Sequence, residues 1–147
     1  MKDLIDRFRT TMERATGKLA RIGEAESMIP IAPGTWSRKQ VLGHLIDSAA
    51  NNHQRFVRAQ LEPHLKFPGY AQDSWVSTQN YQEENWGYLV ACWAGYNRHL
   101  LHVIAQIPAD KLANTVAVGE SEPVTLEFLI RDYVRHLEHH LAQISGR

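Results

Sequence analysis

The sequence predicts an all-α protein, a four-helix bundle with a long crossover between the second and third helices and a short hairpin before the fourth. Two observations carry this reading. Apolar residues recur at three- and four-residue steps in four separate stretches, and turn-forming or helix-capping residues stand between those stretches. Four helices of about 20 residues joined by one long and two shorter connections form the bundle arrangement. The 147 residues fit one domain with a core of its own, so residues 1–147 are read as a single domain.

Leu4, Ile5, Phe8, Met12, Ala15, Leu19 and Ile22 mark a first amphipathic helix over about 2–25. The segment IPIAPGTWS interrupts the pattern with two prolines and a glycine. Ser37 opens the second helix, with Gln40 placed to complete a capping box and Trp36 placed to fold back on that first turn. Val41, Leu42, Leu45, Ile46, Ala49, Phe56 and Val57 continue it to about residue 61, and Pro63 ends it. Residues 63–80 read as an irregular crossover whose aromatic residues suit packing against the bundle rather than disorder. Asn80 with Glu83 is a second capping-box candidate, ahead of a third helix marked by Trp86, Leu89, Val90, Trp93, Leu100 and Ile104 and stopped by Pro108. The stretch NTVAVGESEPV alternates around Gly119 as a hairpin would. Thr125 opens the fourth helix, and Gly146 lies just past its end.

Lysine plus arginine number 16 and aspartate plus glutamate 16, so no bulk charge draws the chain to nucleic acid or to an anionic membrane. No stretch approaches the roughly 18 uncharged apolar residues of a membrane span. The opening MKDLIDRFRTTMERAT lacks the apolar run of a signal peptide, and the single cysteine, Cys92, has no internal disulfide partner. These features lead to the expectation of a cytoplasmic protein. Cys92 lies in the apolar run LVACWAG and reads as a packed thiol rather than a nucleophile.

Histidine is the informative residue, with 8 in the chain. His136 and His140 are four apart on one helix face, in a stripe with Leu129, Tyr133 and Ile144. Spacing alone arises easily by chance. Two buried imidazoles need partners, however, and one divalent ion satisfies both lone pairs. His44, at the border of the apolar face of the second helix, supplies the third ligand from a different helix, as bundle sites do. Three imidazoles leave a fourth position open for water or substrate on zinc, and nickel accepts the same donors. The remaining histidines fit less well. His139 points away from His140, His53 is two to three turns beyond His44, His99 and His102 suit a helix C-terminus, and His64 lies in the crossover.

Ser48, Asn51, Asn52 and Arg55 extend a polar stripe below His44. It is either a solvated face or the polar lining of a cavity between helices. Asp132 is placed either to accept the second ring proton of His136 or to pair at the surface with Arg131 or Arg135, and Asp47 stands in the same relation to His44 or faces solvent. Tyr133, Asp47, Asn51 and Arg55 are therefore the candidate catalytic and substrate-orienting residues. Tyr133 would donate to a developing oxyanion, Asp47 would move a proton, and Asn51 with Arg55 would hold the polar end of a substrate. Trp36, Trp75 and Trp86 are either pocket walls or ordinary packing.

GTWSRKQVLGHLIDSAANNHQRF followed by YVRHLEHHLAQI resembles the DinB-like family of metal-binding four-helix bundles, and in particular its bacillithiol-transferase-like branch, also described as metal-dependent hydrolases. The resemblance implies a metal site at His44, His136 and His140, an ion of zinc or nickel, frequent homodimers, and transfer or isomerisation chemistry on low-molecular-weight thiols. The leading expectation is a metal-dependent enzyme acting on a small molecule, a thiol transferase. Its rivals are a metal-dependent hydrolase using bound water, and a noncatalytic metal-binding stress-response or scaffold module.

Overall fold

The computed structural model describes residues 1–146 and confirms the all-α bundle with its crossover. Its long helices are α1 (Lys2–Ala20), α3 (Arg38–Leu61), α5 (Trp86–Ala105) and α6 (Leu126–Ile144). The first helix ends sooner than its periodicity suggests. The chain turns after Ala20, and a separate short α2 (Glu24–Ser27) begins beyond Gly23. Glu24 justifies that break. Its carboxylate receives Lys39 Nζ and, at 2.8 Å, the backbone N–H of Trp86, so one acid joins α2 to the starts of α3 and α5.

The expected inward stripe of α1 is buried through Leu4, Phe8, Met12, Ala15 and Leu19. It packs with Trp93, Leu100 and Ile104 of α5 and with Ile130, Leu137 and Ile144 of α6 in one continuous core. Each such aliphatic or aromatic side chain contributes about 1.5–3 kcal/mol on burial. The capping boundaries match the sequence at two helices. Ser37 and Gln40 form a reciprocal capping box on α3, and the Thr125 side chain accepts the Phe128 N–H at the start of α6.

The crossover is more ordered than its composition indicates. It holds a strand, β1 (His64–Phe67), the helix α4 (Gln72–Gln79) and a 3-10 turn at Tyr81–Glu83. Asn80 does not cap the third helix. It sits in the left-handed region (φ 50°) and ends α4, while Asn85 accepts the Tyr88 N–H and caps α5. The expected hairpin is β2 (Thr115–Val118) with β3 (Val124–Thr125), antiparallel. Gly119 adopts φ 58° in its connection, where a side chain would be strained. β1 adds parallel to β2 to complete a three-stranded sheet. Four-residue strands give too short an alternation to be separated from loop by pattern alone.

Two contacts place α3 against α6. Arg38 Nε donates to the Ile144 carbonyl at 3.0 Å, which sets the start of α3 beside the end of α6, and His44, further along α3, lies against His136, further back in α6. The two helices therefore run antiparallel. A residue about 9 Å into α3 meets residues one to two turns before the end of α6. This is the level at which His44 meets His136 and His140. At its other end α3 is tied to the sheet, where Asn114 donates to the Ala59 carbonyl at 2.8 Å.

Candidate metal centre

The three ring nitrogens point at one another. His44 Nε2 lies 3.2 Å from His136 Nε2, and His140 Nε2 lies 3.1 Å from the same atom. All three candidate donor atoms fall within 4.8 Å, and this is the one such histidine or acid cluster among the described residues. Tetrahedral zinc with nitrogen donors at about 2.0–2.1 Å has donor–donor edges of about 3.3 Å, so the spacing fits one ion. The ring planes are nearly perpendicular, at 73–77°. Such an arrangement directs lone pairs to a centre rather than stacking faces.

The surroundings keep the imidazoles neutral. Burial, followed by the charge of the other histidines, holds His44 down to about 4. His136 is held down to about 4 mainly by burial and by His140, with Asp132 pulling the other way. Burial also lowers His140. His140 Nδ1 faces Gln143 Oε1 at 2.8 Å, which puts the ring proton on Nδ1 and leaves the Nε2 lone pair free for an ion. Trp36 leans on His44 with ring centroids 5.2 Å apart, so it packs on that candidate ligand rather than only on the first helical turn.

Two cavities adjoin the cluster. One of about 480 Å³ is lined by Ile31, Trp36, Val41, Gln72, His140 and Gln143 among others. A smaller one of about 190 Å³ includes His44, Ser48, Asn52, Arg55, Tyr70 and His136 in its walls. The polar stripe below His44 is thus not a solvated face: Ser48, Asn51, Asn52 and Arg55 are all buried, and all but Asn51 line the smaller cavity.

The other candidates are placed as follows. Arg55 lines the smaller cavity, as does Asn52. Asn51, one helical step of about 100° from Asn52, is absent from that lining and donates back to the Asp47 carbonyl. Asp47 does not face solvent. Its Oδ1 accepts from the Tyr81 hydroxyl at 2.7 Å and from Gln79 at 2.8 Å, while Oδ2 and the His44 Nδ1 have no partner. Burial raises the Asp47 carboxyl, and Tyr81 and Gln79 oppose that rise. Tyr133 reaches the cavity wall, but its hydroxyl donates to the buried Asn97 Oδ1. Its ring edges meet Phe8 and Phe56. The hydroxyl is engaged in the core, away from the role of oxyanion donor. Asp132 follows its surface alternative and pairs with Arg135 at 2.6 Å.

Sequence reasoning passed over Tyr81, Tyr70, Gln72 and Gln143. Tyr81 had a signal in Gly43. A Cβ at position 43 would come within 2.1 Å of the Tyr81 ring, so the glycine admits the ring that reaches Asp47. Gln143 had one too, three residues after His140 on the same helix face.

The profile of the DinB superfamily matches residues 4–144. The chain belongs to the DinB superfamily. A Bacillus mycoides (strain KBAB4) protein that carries a provisional name as a metal-dependent hydrolase is 26% identical over 149 aligned residues, covering 99% of this chain and 86% of its own. YfiT from Bacillus subtilis, described as "a probable metal-dependent hydrolase with an unusual four-helix bundle topology", superposes with a TM-score of 0.82 at 22% identity. That match covers 98% of this chain and 85% of YfiT. The mycothiol-dependent maleylpyruvate isomerase superposes with a TM-score of 0.78 at 13% identity, over 97% of this chain and 60% of the isomerase. At these identities the two superpositions establish the shared fold.

Proposed function

We propose that this DinB-superfamily chain is a metal-dependent enzyme that holds one zinc or nickel ion on His44, His136 and His140 and transfers a small thiol to an electrophilic substrate. The observation that carries the reading is the convergence of three Nε2 atoms, with those of His44 and His140 each 3.1–3.2 Å from that of His136, beside open cavities. An ion with a vacant fourth position supplies Lewis acidity and lowers the pKa of a thiol or water bound there. The chain's own residues do the rest. Gln143 fixes the His140 tautomer, Trp36 packs against His44, and the two cavities give room for two reactants. In the transfer, the thiol loses its proton to solvent, sulfur forms a bond to the electrophilic carbon, and the leaving group departs with its bonding pair.

Hydrolysis at the same ion is the second reading, favoured by the provisional names of the Bacillus relatives. It asks for a carboxylate free to take a proton from water. Of the acids nearby, Asp132 is paired with Arg135, and Asp47 engages Oδ1 with Tyr81 and Gln79, which leaves only its Oδ2 without a partner. A thiol, more acidic than water by several pKa units, depends less on such a base, and this supports transfer over hydrolysis. The small-molecule reading also agrees with the absence, among the described residues, of a helix long and apolar enough to cross a membrane. A cytoplasmic homodimer is the proposed setting.

The test is zinc- and nickel-loaded protein mixed with several low-molecular-weight thiols and 1-chloro-2,4-dinitrobenzene, followed by thioether absorbance. Metal-dependent rates above background, lost in His44→Ala, are expected. Thiol consumption at background in every metal form would remove the transfer reading, and hydrolysed product without thioether would replace it with the second.

A further inference from the structure

Arg55 carries a positive charge into the protein without an acid to meet it. Its relative exposure is 7%, and no carboxylate lies within ion-pair distance among the described residues. Nε has no hydrogen-bond partner. The one hydrogen bond recorded for the side chain is a long one, 3.4 Å from Nη1 to Asn52 Oδ1. The guanidinium lies over the Phe67 ring at 5.6 Å, which supports its flat face and leaves its N–H edge to the cavity it lines. A buried and unpaired guanidinium is costly, because water is lost and no anion replaces it.

We propose that the smaller cavity is an oxyanion subsite, in which Arg55 receives the carboxylate of a small organic-acid substrate presented to the histidine cluster. The same cavity joins His44 and His136 to Arg55, so a ligand seated there lies beside the candidate metal centre. The planar guanidinium fork matches the two oxygens of a carboxylate. Two hydroxyl-bearing residues stand beside it. Tyr70 lines the cavity, and burial keeps its hydroxyl protonated. Ser48 lines it as well. Charge suits the monoanion: Arg55 brings one positive charge, and Asp132 on the same wall is paired with Arg135 and adds none for a phosphate dianion. Size agrees, since about 190 Å³ is the share of about six waters, enough for a carboxylate on a few carbons. The inference deepens the metal-enzyme reading and rests on it for the reaction that follows binding, though not for binding itself.

The test is NMR titration of zinc-loaded protein with propionate, propionamide and inorganic phosphate, observing the Arg55 Nε–Hε resonance. Propionate is expected to shift that resonance saturably, with an affinity at least tenfold above that of propionamide and above that of phosphate. Arg55→Gln should lose the tenfold preference, keep its zinc, and melt no lower than the wild type, because an unpaired buried charge has been removed. Arg55→Lys should retain part of the preference. Four results overturn the proposal: equal affinities for propionate and propionamide; tighter binding of phosphate; propionate shifts confined to the histidine rings; and loss of folding in both variants, which would make the guanidinium a structural group. Failure to take up zinc would instead contradict the metal centre, so the two readings fail separately.

Discussion

The chain carries two groups of three histidines, and their difference shows what sets a candidate metal centre apart. His44, His136 and His140 come from α3 and α6 and turn their Nε2 atoms inward to within 3.1–3.2 Å of the shared His136 atom. His53, His99 and His102 come from α3 and α5 and also lie close, with ring centroids 5.2 Å apart for His53–His99 and 6.4 Å for His99–His102. The second group does not converge. His53 Nδ1 faces the Tyr96 hydroxyl at 2.9 Å, the His99 and His102 rings lie nearly parallel at 27°, and His99 and His102 are exposed. Numbers of imidazoles and their nearness are similar in the two places. Burial and the direction of the lone pairs separate them.

The largest expected effect is on the first group. His136→Ala removes the nitrogen that both neighbours face, and metal affinity should fall by at least about a hundredfold, measured by competition with a chromophoric chelator. His53→Ala and His99→Ala should leave metal content unchanged. Equal losses in both groups would erase the contrast between them.

Gln143→Leu should weaken binding by about 10–100-fold while the three ligands stay in place, because His140 loses the partner that fixes its tautomer. The same titration measures it. Wild-type affinity in Gln143→Leu would show that the α6 helix alone orients the ring.

Gly43→Ala tests the other support of α3. A methyl group there displaces Tyr81 from Asp47 and should cost about 1–3 kcal/mol in denaturant unfolding. A neutral result would mean that the Tyr81 ring moves aside freely.

Acid gives the most graded effect. His44 and His136 titrate near 4 in the folded protein against an ordinary value near 6.5. Between those values the unfolded chain binds more protons than the folded one. Stability of the metal-free protein therefore falls as pH drops from about 6.5 to about 4, by up to about 1.4 kcal/mol per pH unit for each histidine. Bound metal leaves over the same range or below it, because protons compete for the same nitrogens. Urea unfolding between pH 4 and 7 checks the slope. A flat profile in His44→Ala/His136→Ala beside a steep wild-type profile would assign it to these two residues.

The histidine cluster was legible in the sequence because it follows from period and polarity. A His-x3-His pair inside an apolar stripe of α6 shares one face whatever the tertiary fold, and His44 borders the apolar face of α3. Arg55 was legible as part of a polar stripe, but only the neighbouring helix and strand decide between solvent and cavity. Asn51 was the wrong asparagine for the cavity wall: both it and Asn52 lie on the stripe, and a rotation of one residue settles which lines it. Tyr133 lies on the expected face, yet its hydroxyl follows Asn97, a partner 36 residues away that no local pattern identifies. The crossover hid its strand and helix because four- and eight-residue elements with mixed composition carry little periodicity of their own. β1 is held by pairing with β2, which lies 51 positions further along the chain.

X-ray absorption at the metal edge of tag-free, zinc-loaded protein examines the centre itself. Three imidazole nitrogens at about 2.0–2.1 Å, with a fourth light-atom ligand, are predicted, and one imidazole should vanish from the spectrum of His44→Ala. A shell without imidazole scattering, or a wild-type spectrum unchanged by His44→Ala, would contradict a metal centre built from α3 and α6.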